Sequence, residues 1–202
     1  MMNGAFALLE FDSVAAGVQA VDRMLKRSPL ALLRCGSVHP GRWLALVGGS
    51  VAAAQEAHGE GLRAGGVCDE VCLADPHPTL LPAVTGERQA PEGEALGVLE
   101  TVTSPALLGA VDAVLKAVPV RLLELRLGDD LGGRAVALLD GLLPDVAAAL
   151  ELARARLEPG GHLAACTLLP RLDETLRDVL QGTTRFAACP VWQPEGGEVL
   201  EG

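Results

Sequence analysis

Residues 9–33 return at residues 99–123 with a constant offset of 90. The identical pairs include Leu9/Leu99, Glu10/Glu100, Ala20/Ala110, Val21/Val111, Asp22/Asp112, Leu25/Leu115, Lys26/Lys116, Pro29/Pro119, Leu32/Leu122 and Leu33/Leu123. Ala and Leu coincide easily by chance in a chain this rich in both, but Glu, Asp, Lys and Pro falling in one register mark a duplication. The match resumes at offset 92 with Gly41-Arg42 against Gly133-Arg134 and Gly49 against Gly141, then at offset 94 with Pro76 against Pro170. Small insertions in the second copy account for the drift.

Both copies read in the same order. Residues 5–11 are an apolar run of strand character, and Ser13 offers an N-cap for a helix through Arg27 with Val14, Val18, Val21 and Leu25 on one face. Pro29 ends that helix. Residues 30–35 and 43–47 are apolar runs joined by a loop at 36–41, which reads as a hairpin. Gly48-Gly49-Ser50 opens an Ala-rich helix to about Leu62, and residues 67–74 form a last strand. The second copy gives 96–101, 104–117, 120–127, 134–139, 144–157 and 162–168. The order strand, helix, strand, strand, helix, strand is a ferredoxin-like βαββαβ unit, so the expected class is α+β with two such units in tandem. We read residues 1–86 as the first domain, 87–93 as a polar Pro- and Gly-containing linker, 94–186 as the second domain and 187–202 as a loosely ordered tail.

Composition removes several functions. A net charge of -10 and only 2% aromatic residues argue against nucleic-acid binding, which needs a basic surface and, for single strands, stacking platforms. With 50% hydrophobic residues the chain is not disordered. The uncharged run at 43–55, among the longest, is interrupted by Gly48 and Gly49 and falls short of the ~20 residues of a membrane span. Residues 1–11 lack the basic start of a signal peptide, so a cytoplasmic location is expected. Five Cys, an odd number, suit reduced buried thiols better than a disulfide framework.

Ala7-Leu8-Leu9-Glu10 and Gly97-Val98-Leu99-Glu100, the helix ends Val21-Asp22-Arg23-Met24-Leu25-Lys26 and Val111-Asp112-Ala113-Val114-Leu115-Lys116, and the hairpins ending in Gly41-Arg42 and Gly133-Arg134 together resemble a known family. It is the bacterial microcompartment shell proteins, in particular the tandem-domain members, and the resemblance covers roughly residues 5–180. It implies two microcompartment domains in unpermuted order and a homotrimer that mimics a hexagonal tile. It also implies packing with other shell proteins, hexameric and pentameric tiles, into facets of the shell in the bacterial cytoplasm, with a central pore for small metabolites. No cofactor, nucleic-acid or membrane partner is implied.

Carried over residue by residue, Lys26 and Lys116 match the family's tile-edge lysine. A Lys stem can bury its methylenes along an edge while its ammonium meets carbonyls across the contact; a single such Lys would read as a solvated helix end favoured by the dipole. The family's Arg after the last strand is matched by Arg171, whereas the first copy has His77 there. The pore-lining positions fall on Ser37, Val38, His39 and Pro40 in the first copy and on Gly128, Asp129, Asp130, Leu131 and Gly132 in the second. Three copies of each Asp around an axis would favour cations or neutral molecules over polyanions, unless Arg42 and Arg134 compensate from the loop bases. An ordinary solvent-exposed turn is the competing reading of Asp129-Asp130.

Other chemistry finds little support. Neither loop tip carries a Cys that could hold an iron–sulfur cluster, Cys35 lying on the preceding strand. Cys68 and Cys72, with His58 and His77 nearby, lack a second Cys pair at ligand spacing, so no metal site is expected. Gly48-Gly49-Ser50 lacks a phosphate-loop Lys and reads as a turn and cap. The four His are not shared between copies and no catalytic motif is present, so no catalytic residue is assigned. The sequence thus favours a non-enzymatic shell tile, with a duplicated ferredoxin-like module that binds a small regulatory ligand between its repeats as the alternative.

Overall fold

The computed structural model describes residues 4–128 and 131–190. The first repeat consists of β1 (Ala5–Phe11), α1 (Val14–Arg27), β2 (Leu32–Val38), β3 (Arg42–Gly49), α2 (Val51–Ala64) and β4 (Val67–Leu73). A short helix follows, α3 (Leu80–Val84). The second repeat consists of β5 (Ala95–Thr101), α4 (Ser104–Ala117), β6 (Arg121–Leu127), β7 (Ala135–Gly141), α5 (Leu143–Leu157) and β8 (Leu163–Leu169), and then α6 (Glu174–Gly182). The expected βαββαβ order is therefore present twice. The two closing helices, α3 and α6, were not among the expected elements.

Local chemistry explains the helix starts. Ser13 and Ser50 accept from the backbone N–H of Ala16 and Ala53, each at 3.2 Å, so Ser50 is the expected cap, whereas Gly48 and Gly49 end β3, paired with Phe6 and Ala5, rather than forming a turn. In the second repeat α4 and α5 carry Pro in their first turn, where no N–H is needed. Each repeat forms an antiparallel sheet, in the orders β2-β3-β1-β4 and β6-β7-β5-β8. Both sheets have a register shift at the same place, between Glu10 and Phe11 and between Glu100 and Thr101. Such bulges re-aim a side chain, here beside the Glu that recurs in both copies.

One face of the first sheet, with Ala7, Leu9, Phe11, Ala45 and Val47, is covered by Ala20, Val21 and Met24 of α1 and Ala57 of α2. Bulky rings are few because the helices lie close: a Cβ on Gly17 would sit 2.3 Å from the Trp43 ring. On the opposite face Phe6, Leu8, Leu44 and Leu46 meet Leu80 and Val84 of α3 in a cluster that runs on into Leu107, Leu108 and Val111 of α4. The two repeats thus share one core. The outer face of the second sheet is closed by Leu172 and by Leu180 of α6.

Three expectations need correcting. The hairpin of the first repeat is shorter than read, since β2 runs on to Val38 and Ser37 and Val38 lie in a strand paired with Trp43 and Arg42. Only Val21 of the proposed α1 face is buried; Val14, Val18 and Leu25 are 40%, 50% and 50% exposed. The thiols are all free, but Cys35 and Cys68 are exposed rather than buried.

Candidate functional site

The seam between the repeats is where polar chemistry concentrates. Helix α4 lies across β4 and β1 of the first repeat, with Gly109 so close that an added Cβ would meet Val71 Cγ2 at 3.2 Å. The α4 N-terminus meets two carboxylates. Glu10, 1% exposed, accepts the Ser104 N–H at 2.8 Å through Oε2, while its Oε1 takes Arg42 Nη1 at 2.5 Å. Asp69 Oδ2 accepts the Ala106 N–H at 3.1 Å and a short bond from the Thr103 hydroxyl. Negative charge at a helix N-terminus is favoured by the dipole and satisfies N–H groups that no helical carbonyl reaches. The Glu10 carboxylate raises Arg42 further above the usual guanidinium range. Although Cys68 is exposed as a residue, its Sγ lies against the Glu10 carbonyl at 3.3 Å, and this partial desolvation, and then the charge of Glu10, pushes the thiol up.

The duplication supplies an internal control for this seam. Ser104, Leu108 and Leu115 of α4 are 1%, 0% and 9% exposed because the first repeat covers them. Their counterparts at offset 90 are Val14, Val18 and Leu25, the exposed apolar residues of α1. Likewise Glu100 pairs with Arg134 at 3.3 Å as Glu10 does with Arg42, yet Glu100 and Arg134 remain 34% and 58% exposed. A surface identical in plan to the buried seam is therefore open on the single chain. Arg42 and Arg134, named above as possible compensation for the loop aspartates, pair with these glutamates. Recurrence of Glu10/Glu100 and Arg42/Arg134 in the sequence was the signal for this pairing, and it was missed.

The two hairpin tips come together. A Cβ on Gly133 would lie 3.0 Å from Pro40 Cδ, and one on Gly128 would lie 3.2 Å from Val38 Cβ. His39 and Pro40 are exposed beside them, and Gly132 and Leu131 belong to the same turn. Asp129 and Asp130 lie outside the described residues. The predicted edge residues sit elsewhere. Lys26, 74% exposed, pairs with Asp22 at 2.7 Å at the end of α1, and Lys116 pairs with Asp112 at 2.7 Å at the end of α4. Asp112 also accepts the backbone N–H of His77 at 2.8 Å, so His77 lies on the seam between the repeats, whereas Arg171 is exposed. Among the described residues no cluster of His, Cys, Asp and Glu could hold a metal ion, and no helix is long and apolar enough to cross a membrane.

A sequence model of the BMC domain matches residues 5–76 and, a second time, residues 95–172. The bacterial microcompartment shell protein PduT of Citrobacter freundii is 31% identical over 184 residues, which span 90% of this chain and 100% of that one. The carboxysome assembly protein CcmO of Synechocystis is 30% identical over 198 residues, spanning 90% of this chain and 66% of that protein. Among solved structures, a microcompartment protein from Desulfitobacterium hafniense aligns with a TM-score of 0.76 at 29% identity, over 87% of this chain and 98% of that one. A fused permuted hexameric shell protein of the RMM microcompartment shares the fold alone, with a TM-score of 0.56 at 18% identity over 77% and 84% of the two chains.

Proposed function

The chain belongs to the BMC-domain family, as a bacterial microcompartment shell protein with two such domains in tandem, and from that premise we propose that three copies close into a pseudohexameric tile around a central pore. Proteins of this family are structural, and the chain is a component of the microcompartment shell rather than an enzyme. Its family assembles into oligomeric shell tiles with other shell proteins.

The observation that carries the trimer is the open copy of the seam. Within the chain, α4 of the second repeat packs on β4 and β1 of the first. The same contact made onward would set α1 of another copy, with Val14, Val18 and Leu25, on β8 and β5 of this one. The Val14 N–H of the incoming helix would then meet Glu100 as the Ser104 N–H meets Glu10. A head-to-tail contact repeated in this way closes into a ring when its rotation allows, and six like domains supply a hexagonal outline from three chains. We place the hairpin tips toward the ring axis, with Ser37, Val38, His39, Pro40, Gly128, Leu131 and Gly132 as pore-lining positions. Lys26, Lys116 and Arg171 stand at the tile edge.

Light scattering should give three times the 20.8 kDa chain mass. Val18→Asp adds a charge at a position half exposed on the single chain, so it should leave the chain folded but monomeric. A monomeric wild type, or a Val18→Asp protein that stays trimeric, would remove the proposed contact.

A further inference from the structure

A cleft of about 370 Å³ separates β2 of the first repeat from β6 of the second, within the ~300–1,000 Å³ of small-molecule sites. Its floor is apolar, with Leu8, Leu44, Leu46 and Leu125, and Arg34, Arg88 and Glu124 are among the charged residues around it. On the β6 side Arg88 and Glu124 pair at 3.0 Å. Across from them Arg34 is exposed and donates to the Val84 carbonyl at 2.7 Å, and no carboxylate among the described residues lies within ion-pairing distance of it. A guanidinium that donates through one terminal nitrogen to a neutral carbonyl keeps its charge and its remaining donors for an incoming anion.

Gly36 makes a second, independent observation. It lies in the middle of β2, cross-strand from Leu44, and has an ordinary strand conformation. A Cβ there would meet nothing within 4 Å, so neither backbone nor packing demands glycine. Glycine weakens a strand, and in a strand interior it often marks the close approach of a ligand. The room it leaves is the cleft. The duplication sharpens this: in the pairing of β6 with β7, Arg126 holds the position of Gly36 and Glu124 that of Arg34. The two copies, alike in frame, have diverged in charge and bulk along the cleft.

We infer that this cleft binds a small organic acid, a carboxylate or phosphate monoester with a short aliphatic part, its anion on Arg34 and its chain over the leucine floor beside Gly36. All the groups invoked belong to one chain, so the site does not depend on ring closure.

The test is calorimetric titration of the full chain with butyrate, n-butyl phosphate and the neutral butyramide, with mass followed in parallel by light scattering. Saturable binding of one or both anions is expected, at one per chain, with butyramide at least tenfold weaker. Gly36→Val, which fills the room with a residue suited to a strand, and Arg34→Ala should each weaken the anion at least tenfold while the mass stays that of the wild type. Absence of saturable binding by either anion, equal binding of butyramide, or wild-type affinity in either variant overturns the site. A wild-type mass that is not trimeric would touch only the tile.

Discussion

Glu10→Gln and Glu100→Gln change the same residue in the two copies, and the structure separates their costs. At Glu10 the carboxylate is almost wholly buried and serves two donors, Arg42 at 2.5 Å and the Ser104 N–H at 2.8 Å. Gln retains one oxygen, so its amide NH₂ must face a donor at one of the two contacts. Loss of a charge-assisted hydrogen bond is worth about 1.5–3 kcal/mol, and breaking a buried ion pair about 3–5 kcal/mol. Arg42 is 32% exposed and can recover part of its hydration, which places the expected loss in the lower of these two ranges, about 2–3 kcal/mol. That is a fall of roughly 30- to 150-fold in the folded-to-unfolded ratio. At Glu100 the partner lies 3.3 Å away and both groups meet water, so the loss on a single chain should stay below about 1 kcal/mol. Urea unfolding of both variants in the Val18→Asp background, where the chain is expected to be monomeric, measures the difference. Equal losses, or a Glu10→Gln loss under about 1 kcal/mol, would refute the reasoning that the seam carries a buried charge pair. In the otherwise wild-type chain Glu100→Gln should in addition weaken the trimer, because ring closure would bury Glu100 as the seam buries Glu10.

Asp140 is fully buried, and although burial opposes its charge, the Arg121 guanidinium and the Glu92 and Gly93 N–H groups hold its carboxyl below the ordinary 3.8. A depressed folded-state value adds stability above the unfolded value that disappears as pH falls through the folded one. Asp140→Asn should therefore lose about 2 kcal/mol at pH 7, a gap that narrows below about pH 3.8; a gap unchanged by pH in urea unfolding would refute the assignment. Lys26→Glu with Lys116→Glu should preserve the trimer mass yet block extended sheets in electron micrographs, and unaltered sheets would remove these lysines from the tile edge.

The repeat, the order of elements and the helix caps were legible because they rest on local signals: matched residues at one offset, apolar periodicity, and Ser before a helix. Helix α3 escaped because it is five residues long, with Pro82 inside it, whereas α6 carried a signal that went unread, the Asp173 cap followed by Leu176, Val179 and Leu180 at helical spacing. The motif around Glu10 does not reveal its partner, since Arg42 lies 32 residues away and only the β1–β3 pairing brings them together. In the second sheet a register shift between Leu122 and Glu124 displaces the pairing, and Leu123 joins the cluster under α6, a rotation that a constant offset of 90 conceals.

Sequence alone determined that this chain is two like α+β units, because that property is carried by matched residues and by apolar spacing along the backbone. Tertiary structure decided which faces are spent and which are left open. The apolar residues of α1 and α4 share one pattern, yet the chain itself covers Leu108 and leaves Val18 exposed. Burial depends on what lies opposite a face, and in a tandem chain only one of the two equivalent seams can be made within the molecule. The cleft between β2 and β6 has the same origin: Arg34 and Gly36 are an unremarkable pair of strand residues until the second repeat supplies the opposite wall.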